Sequence, residues 1–245
     1  MKLALITVLS LALSSPALAS RTFNGTSDFA TISGSGTAID ITGQQISIAA
    51  WVYFSVVPTA EEEPMAKADT SATQYEIYIN ASGQPSKTLG IYVRQSTSLA
   101  HDVFMNCSSQ AIVGWNIIVA TYSSVSTNWF VYCQGVQANT STTGTAATIQ
   151  SNGDNLLLGK KAASSPTFFG GSLAWVTIWN VQLSAGEATS MLAVCPNRVR
   201  PKSIVGIYPL LGISGTSIEP DLSGNILNAT LTGTTSNPVN PPCTP

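Results

Sequence analysis

Apolar residues alternate with polar ones in short runs along most of this 245-residue chain. Such alternation places every second side chain on one face of a β-strand, and clusters of Gly, Ser, Thr and Asn between the runs are typical of turns. Many short strands joined by such turns predict an all-β protein built as a two-sheet antiparallel sandwich. The clearest runs are residues 23–32, 46–52, 74–79, 89–94, 114–120, 130–136, 156–159 and 170–183.

One short helix is predicted after the last of these runs. Ser184 and Glu187 have the spacing of a capping box. In that arrangement the serine hydroxyl accepts a hydrogen bond from the glutamate amide, while the glutamate carboxylate reaches back to the serine amide. We expect the helix to cover residues 185–194.

The order of glycine turn, β-rich strand and short helix in residues 170–187 resembles the closing motif of the laminin-G-like, or concanavalin A-like, jelly rolls. Residues 23–32 and 46–52 resemble the first two strands of that family, 114–120 and 130–136 its central hairpin, and 156–159 the strand before the closing motif. The resemblance covers residues 21–195 and implies a jelly-roll sandwich. It implies no single chemistry, because the fold serves lectins, adhesion modules and glycosidases alike.

The two ends of the chain are interpreted separately from the jelly roll, which we place at residues 20–196. Residues 1–19 combine Lys2, an apolar run and the small-residue sequence Ala-Leu-Ala, and therefore read as a secretory signal peptide. Residues 197–245 form a C-terminal tail whose predicted strand, 228–232, is too short to stand alone. The tail either covers an edge of its own sandwich or pairs with a neighbouring copy.

Composition excludes several classes of partner. Charged residues make up only 9% of the chain and the net charge is −2, so there is no basic stripe for a nucleic acid. No run after the signal peptide is long and apolar enough for a membrane span. Low charge also weakens repulsion between copies, which permits self-association. The basic cluster Arg198, Arg200 and Lys202 either contacts an anionic glycan or is a solvated linker.

Four cysteines in an exported chain predict two disulfides. Three pairings are possible. We favour Cys107 with Cys133, because both lie in predicted strands of the central region, which leaves Cys195 to bond Cys243 near the C-terminus. Metal binding by these thiols is the poorer interpretation, since their spacings are long and the chain has a single histidine.

No catalytic constellation is recognisable, so the chain is predicted not to be an enzyme. Glycoside hydrolysis on this fold would need two carboxylates facing a cleft, as in the Glu-x-Asp-x-x-Glu motif of the related glucanases, and this pattern is absent. The acidic run 61–63 lies between Pro58 and Pro64 and is predicted to be a solvated loop. His101 and Asp102 are neighbours in a predicted strand, so their side chains point to opposite faces.

Calcium is a possible cofactor, because many relatives of this fold carry it and the ion takes about six to eight oxygen ligands. Candidate ligands lie in predicted loops at Asp28, Asp69, Asp154 and Asn155. The two acidic residues of the family's closing motif are replaced here by an alanine and Trp175, which argues against an inherited metal site.

Exposed aromatic residues would mark a sugar site, since the apolar face of a sugar stacks on an indole ring. Trp51, Trp115 and Trp179 resemble packed positions of the family. Trp129 opens its strand and is predicted to be half-exposed, while Trp175 stands where the family has an acidic residue. We therefore take Trp129 and Trp175 as the candidate ligand-binding residues; alternatively, the tail covers Trp175.

Together these features predict a secreted, non-enzymatic module that binds a carbohydrate or an extracellular protein. The alternative is a structural subunit of an extracellular filament, surface layer or virus-like particle, assembled through its tail. Sequons for N-glycosylation occur at Asn24, Asn80, Asn106, Asn139 and Asn228.

Overall fold

The computed structural model describes residues 20–56, 58–68, 73–80, 88–94, 100–106, 113–126, 128–141, 148–162, 166–212, 216–237 and 240–243. The predicted signal peptide lies outside these ranges. The strands are, in chain order, β1 (Ser20–Asn24), β2 (Phe29–Ile32), β3 (Gln45–Phe54), β4 (Glu62–Lys67), β5 (Tyr75–Ile79), β6 (Thr88–Arg94), β7 (Ala100–Asn106), β8 (Gly114–Ser123), β9 (Asn128–Cys133), β10 (Val136–Ser141), β11 (Leu156–Leu158), β12 (Lys160–Lys161), β13 (Thr167–Phe168), β14 (Gly170–Trp179), β15 (Ile204–Tyr208), β16 (Ile218–Glu219), β17 (Ala229–Thr232) and β18 (Thr235–Asn237). The described helices are α1 (Ala185–Ser190) and two 3-10 turns, Pro196–Arg198 and Pro201–Ser203.

Two antiparallel sheets make up the fold, as the alternating sequence pattern predicts. Sheet I has the strand order β10-β9-β8-β3-β14-β1-β18, and β15 pairs with the second half of β14. Sheet II has the order β16-β17-β2-β11-β4-β5-β6-β7. Strands β12 and β13 form a separate short hairpin. The all-β, two-sheet antiparallel sandwich is therefore confirmed.

Alternation along each strand divides the apolar side chains between two clusters. In β3, Val52 and Phe54 belong to the core between the sheets. Trp51 lies on the opposite face of the same strand, in a second cluster that we call the outer cluster. The outer cluster covers part of the outer face of sheet I and is formed mainly by Ala49, Trp51, Ile117, Val119, Trp175, Trp179, Met191, Cys195, Val199, Ile204, Ile207 and Cys243.

Helix α1 begins as predicted but ends earlier than the predicted residue 194. The capping box is present, since the Ser184 amide donates to the Glu187 carboxylate at 2.8 Å and the Glu187 amide donates to the serine hydroxyl. The helix ends at Ser190, and the side chain of its C-cap residue, Met191, is buried in the outer cluster. Pro196 then holds Cys195 in an extended conformation. Within the described ranges, no helix is long and apolar enough to cross a membrane.

Strands of the tail pair with strands of the same chain. β15 lies beside β14, β17 beside β2, and β18 beside β1. The predicted strand at 228–232 corresponds to β17. A disulfide joins Cys195 to Cys243 in the pairing favoured from the sequence, and it fastens the end of the tail to the outer cluster.

The other predicted disulfide is not formed. Cys133, at the end of β9, is a free and buried thiol. Its side chain packs into the core between the sheets beside Ile118 and Val131, where it behaves as a small apolar residue. Its predicted partner, Cys107, lies outside the described residues.

Candidate functional site

The two tryptophans that the sequence suggested as ligand-binding residues are both buried. Trp129 has no exposed surface, and its ring centroid lies 4.1 Å from that of Tyr122 in the core between the sheets. The interpretation of Trp129 as half-exposed is therefore wrong. Its strand turns this side chain inward, where it pairs with another aromatic ring.

Trp175 is only 4% exposed, and it lies at a β-bulge. The register between β14 and β3 shifts between Ala174 and Thr177, and Trp175 has a positive φ of 51°. One extra residue in the strand re-aims the side chain, which here joins the outer cluster beneath the tail. Trp175 is therefore covered by residues of the tail, which was the alternative interpretation from the sequence.

A pocket of about 420 Å³ opens elsewhere on sheet I, where β1, β14 and β3 run side by side. Thr22 of β1 is the register partner of Ser172 of β14, which is in turn the partner of Tyr53 of β3. A volume of this size is typical of a small-molecule site. The lining residues are Thr22, Phe23, Asn24, Tyr53, Ser55, Gly170, Gly171 and Ser172.

Tyr53 gives the pocket an aromatic wall that sequence reasoning missed. It is only partly buried, and Trp115, its register partner on β8, packs edge-on against it with 5.4 Å between the ring centroids. The edge-on contact restrains the tyrosine ring, which lines the pocket. Trp115, interpreted from the sequence as a packed residue, is thus half-buried at the side of this pocket.

Gly171, which lines the pocket, has no room for a side chain. A Cβ atom at this position would lie 2.4 Å from the Tyr53 carbonyl oxygen and 2.6 Å from the Phe169 ring. Contacts this short do not occur between real atoms, so the backbone itself forms this part of the wall.

The polar groups around the pocket are fixed by their neighbours. The hydroxyls of Thr22 and Ser172 lie 2.9 Å apart and share a hydrogen bond. The Gly170 amide donates to the Glu62 carboxylate at 3.0 Å. Burial raises the pKa of Glu62, and this hydrogen bond partly offsets the effect. The Asn24 amide oxygen accepts three backbone N–H groups of its own turn, so that side chain holds the loop shape.

The candidate calcium ligands are engaged within the protein. The Asp28 carboxylate accepts from the Asn24 amide at 3.2 Å. The Asp154 carboxylate accepts from the Asn152 side chain at 3.0 Å, and the Asn155 side-chain oxygen accepts from a backbone amide. Asp69 lies outside the described residues.

A lysine supplies positive charge beside these loops. The Nζ atom of Lys67, which is fully buried, lies 3.2 Å from a carboxylate oxygen of Asp40 and 2.9 Å from the side-chain oxygen of Asn152. Asn152 is the residue that binds Asp154, so the ammonium group and the predicted calcium ligands share one network. Over the described ranges, no group of three or more His, Cys, Asp or Glu residues is placed to hold a metal ion.

The predicted sequons differ in accessibility. Asn80 is only 7% exposed, and its side-chain nitrogen donates to the carbonyls of Pro58 and Ala60, so a glycan there has no room and this prediction is wrong. Asn24 and Asn228 are exposed. The side chains of Asn106, Asn139, His101 and Asp102 lie outside the described part of the structure.

The acidic run at residues 61–63 is not the solvated loop that the sequence suggested. Glu62 begins β4, and the strand continues through Pro64 because the register with β5 shifts between Glu62 and Met65. A bulge is one of the few places within a sheet where proline is tolerated. Glu63 is consequently buried, with 1% exposure.

Glu63 belongs to a charged cluster with Glu76 and Lys161. The Lys161 ammonium lies 2.8 Å from a Glu76 carboxylate oxygen. Burial, reinforced by the Glu76 charge, raises the pKa of Glu63 to about 7. A carboxyl group with a raised pKa beside a second carboxyl group is a pattern found in general acid and base pairs. Both glutamates are at most 4% exposed, however, so a substrate does not reach them in this structure.

We expect the stability of the protein to fall as the pH rises through this titration. The pKa of Glu63 is about 7 in the folded protein, against 4.5 for an unperturbed glutamate in the unfolded chain. Between these values the folded protein holds a proton that the unfolded chain has lost. The stability contributed by protonated Glu63 is therefore fully present below pH 4.5 and lost by about pH 7. The resulting decrease in the free energy of unfolding is at most about 3 kcal/mol.

Urea unfolding at pH 5.0 and pH 8.0, followed by tryptophan fluorescence, measures this effect. Glu63→Gln should remove most of the stability difference between the two pH values, because the amide does not titrate. Glu61→Gln, which removes an adjacent but partly exposed carboxylate, should keep most of it. Equal pH dependence in wild type and Glu63→Gln would contradict the prediction.

Comparison with known proteins supports the fold. The sequence model of a laminin-G-like family, described as the concanavalin A-like lectin/glucanases superfamily, matches residues 24–189. No curated protein matches the chain by sequence.

The similar solved structures include the following three. The first is a "putative carbohydrate binding protein" from Bacteroides ovatus, with a TM-score of 0.66, 17% identity and coverage of 92% of this chain but 62% of that one. The CBM40 of the Ruminococcus gnavus IT-sialidase, bound to α2,3-sialyllactose, has a TM-score of 0.56, 17% identity and coverage of 70% and 95%. The heptameric SAP-like pentraxin of Limulus polyphemus has a TM-score of 0.53, 14% identity and coverage of 71% and 82%.

At these identities the solved structures support the fold alone, whereas the family model covers more than half of the chain. This match agrees with the two-sheet architecture. The chain belongs to the concanavalin A-like lectin/glucanases superfamily.

Proposed function

We propose that this protein is a secreted, non-enzymatic carbohydrate-binding module whose ligand occupies the pocket beside Tyr53. The observation that carries the proposal is the pairing of an aromatic face with hydroxyl groups in a 420 Å³ pocket. A sugar ring has apolar C–H faces and a rim of hydroxyls. It therefore stacks on an aromatic ring while exchanging hydrogen bonds with side chains such as Thr22 and Ser172.

Other features support parts of this proposal. The family includes lectins, and two of the similar structures are named as carbohydrate-binding proteins or modules. The signal-peptide pattern of residues 1–19 and the Cys195–Cys243 disulfide favour an oxidising, extracellular environment. The carboxyl groups of Glu63 and Glu76 are buried away from the pocket lining, which favours binding without hydrolysis.

Tyr53→Ala should weaken saccharide binding at least about tenfold, because it removes the aromatic wall and the desolvated contact it makes. A glycan array followed by isothermal titration calorimetry on the saccharides that bind measures the loss. Thr22→Val, which removes one hydroxyl at nearly constant volume, should weaken the same ligands by a smaller factor.

Tyr92→Ala is the matched control. Tyr92 is also partly buried, but it lies on β6 of sheet II. Its removal should leave binding unchanged while thermal unfolding confirms that each variant is folded. Saccharide binding that survives in folded Tyr53→Ala and is lost in folded Tyr92→Ala would contradict the proposed location and indicate a site on sheet II.

The alternative function, a structural subunit assembled through the tail, remains a proposal that a separate measurement addresses. The tail strands pair within their own chain, so donation to a neighbouring copy would require these pairs to separate. Ordered polymers in electron micrographs, together with the absence of any saccharide ligand, would favour the structural alternative.

A further inference from the structure

Among the described residues that line the pocket beside Tyr53, none has a charged side chain. Its lining consists of hydroxyl, amide, aromatic and glycine residues. A carboxylate or sulfate bound there would leave water without meeting a cation, and burial of an unpaired charge is strongly unfavourable. An uncharged hydroxyl-rich ligand meets groups that suit it.

The nearest cation along the chain is already neutralised. Arg21 precedes Thr22 in β1, but it is only 2% exposed. Its Nε and Nη2 atoms lie 3.2 and 3.1 Å from the Glu219 carboxylate. Its register partner, Leu173, belongs to the core between the sheets, so this side chain does not face the pocket.

The basic cluster that the sequence suggested for an anionic glycan lies elsewhere. Arg200 contacts the carboxylate of Glu187 in α1. The neighbouring Val199 carbonyl accepts a hydrogen bond from Trp179, at the C-terminal end of β14. The pocket lies at the N-terminal end of that ten-residue strand, so this cluster does not contribute to it.

A negative charge stands directly behind the pocket wall. Glu62 is partly exposed, and its carboxylate accepts the amide hydrogen of Gly170, which lines the pocket. An acidic sugar in the pocket would therefore approach a like charge, and no described lining residue supplies a cation to offset it. At short range and partial burial, such repulsion weakens binding at least about tenfold.

We propose that the pocket selects uncharged saccharides and rejects acidic ones, with Glu62 as a specificity-determining residue behind its wall. This inference rests on the proposed function. It distinguishes the chain from the similar CBM40 structure, which holds sialyllactose, a sugar that bears a carboxylate.

The test compares matched pairs of neutral and acidic saccharides, including lactose with α2,3- and α2,6-sialyllactose, on the full mature protein. For each neutral saccharide that binds, its acidic counterpart should bind at least about tenfold more weakly at pH 7.5 and low salt. Glu62→Gln keeps an acceptor for the Gly170 amide and removes the charge. It should therefore reduce the ratio of neutral to acidic saccharide affinity.

A second variant adds the missing cation. Ser55 lines the pocket and is exposed, so Ser55→Lys should raise the relative affinity for acidic saccharides. Val125→Lys is its matched control, because it adds the same charge at a 67% exposed position. Val125 follows the C-terminal end of β8, whereas Trp115 lies near the N-terminal end of that strand. This control should leave the ratio unchanged.

The outcomes are distinguishable. Weaker acidic binding that Glu62→Gln and Ser55→Lys both relieve, while Val125→Lys does not, supports the inference. If acidic saccharides bind as tightly as their neutral counterparts, and Tyr53→Ala weakens both, the selectivity inference is wrong. The proposed function is then still supported. Failure of every saccharide to bind overturns the proposed function itself, and this inference with it.

Discussion

A protein that lacks residues 203–245 should fail to form a stable monomer. The deletion removes β15, β16, β17 and β18, and therefore opens an edge in both sheets. It also removes buried side chains such as Tyr208 and Leu210 from the core between the sheets. Unpaired strand edges and exposed apolar surface promote aggregation.

The expected loss of stability is large compared with what a domain possesses. The Cys195–Cys243 bond joins residues 48 positions apart, and closing a loop of that length contributes about 4 kcal/mol in the chain-entropy model. Typical domains have only about 5–15 kcal/mol in total. Loss of the disulfide together with four strands should therefore unfold the truncated protein or make it aggregate. Size-exclusion chromatography with light scattering and thermal unfolding measure the result.

Two further variants test parts of this prediction. Replacing Cys195 and Cys243 together by alanine removes only the covalent link, so the protein should remain monomeric but lose about 4 kcal/mol of stability. Leu222→Ala changes a 53% exposed tail residue and should alter stability by less than about 0.5 kcal/mol. If the truncated protein stayed monomeric with an unchanged melting temperature, the tail would not stabilise its own domain, and strand donation to a neighbour would be favoured.

The sequence predicts the fold well because the sandwich is encoded locally. Alternation in runs such as residues 46–52 identifies both the strand and its two faces, and Ser184 with Glu187 marks the start of the helix. The same alternation places Tyr53 on the outward face with Trp51, which is a signal that sequence reasoning alone had available. Alternation does not show whether other parts of the chain cover that outward face.

The site depends on contacts that a sequence does not display. Thr22, Ser172 and Tyr53 are far apart in the chain, and only the register of three strands brings them together. Trp175 was expected on an exposed face because the resembled family has an acidic residue there, with cover by the tail as the alternative. It lies in the outer cluster together with tail residues such as Ile207 and Cys243, and the sequence does not display these contacts. Glu63 was assigned to a loop because of the flanking prolines, although a bulge lets the strand pass through Pro64.

Removing the Glu219 carboxylate should destabilise the protein by about 3–5 kcal/mol, because it leaves the buried Arg21 guanidinium without its carboxylate counter-ion. The side chains of Arg21 and Glu219 are 3% and 1% exposed, and they join β1 of sheet I to β16 of sheet II. Thr216 accepts a further hydrogen bond from the guanidinium at 2.8 Å, and the Leu211 amide donates to the other carboxylate oxygen. The pair is thus fully desolvated and held by several hydrogen bonds.

A double-mutant cycle separates the pair interaction from the cost of the unpaired charge. Glu219→Gln and Arg21→Met should each lower the free energy of unfolding by about 3–5 kcal/mol, whereas the double variant Arg21→Met with Glu219→Gln should lose less than the sum, since it buries no charge at this pair. Arg200→Gln is the control: its ion pair with Glu187 is 47% and 26% exposed, and such pairs contribute at most about 1 kcal/mol. Urea unfolding of the four variants at pH 7 measures all of these values. Losses below about 1 kcal/mol in both single variants would mean that water reaches the pair and that it does not hold the two sheets together.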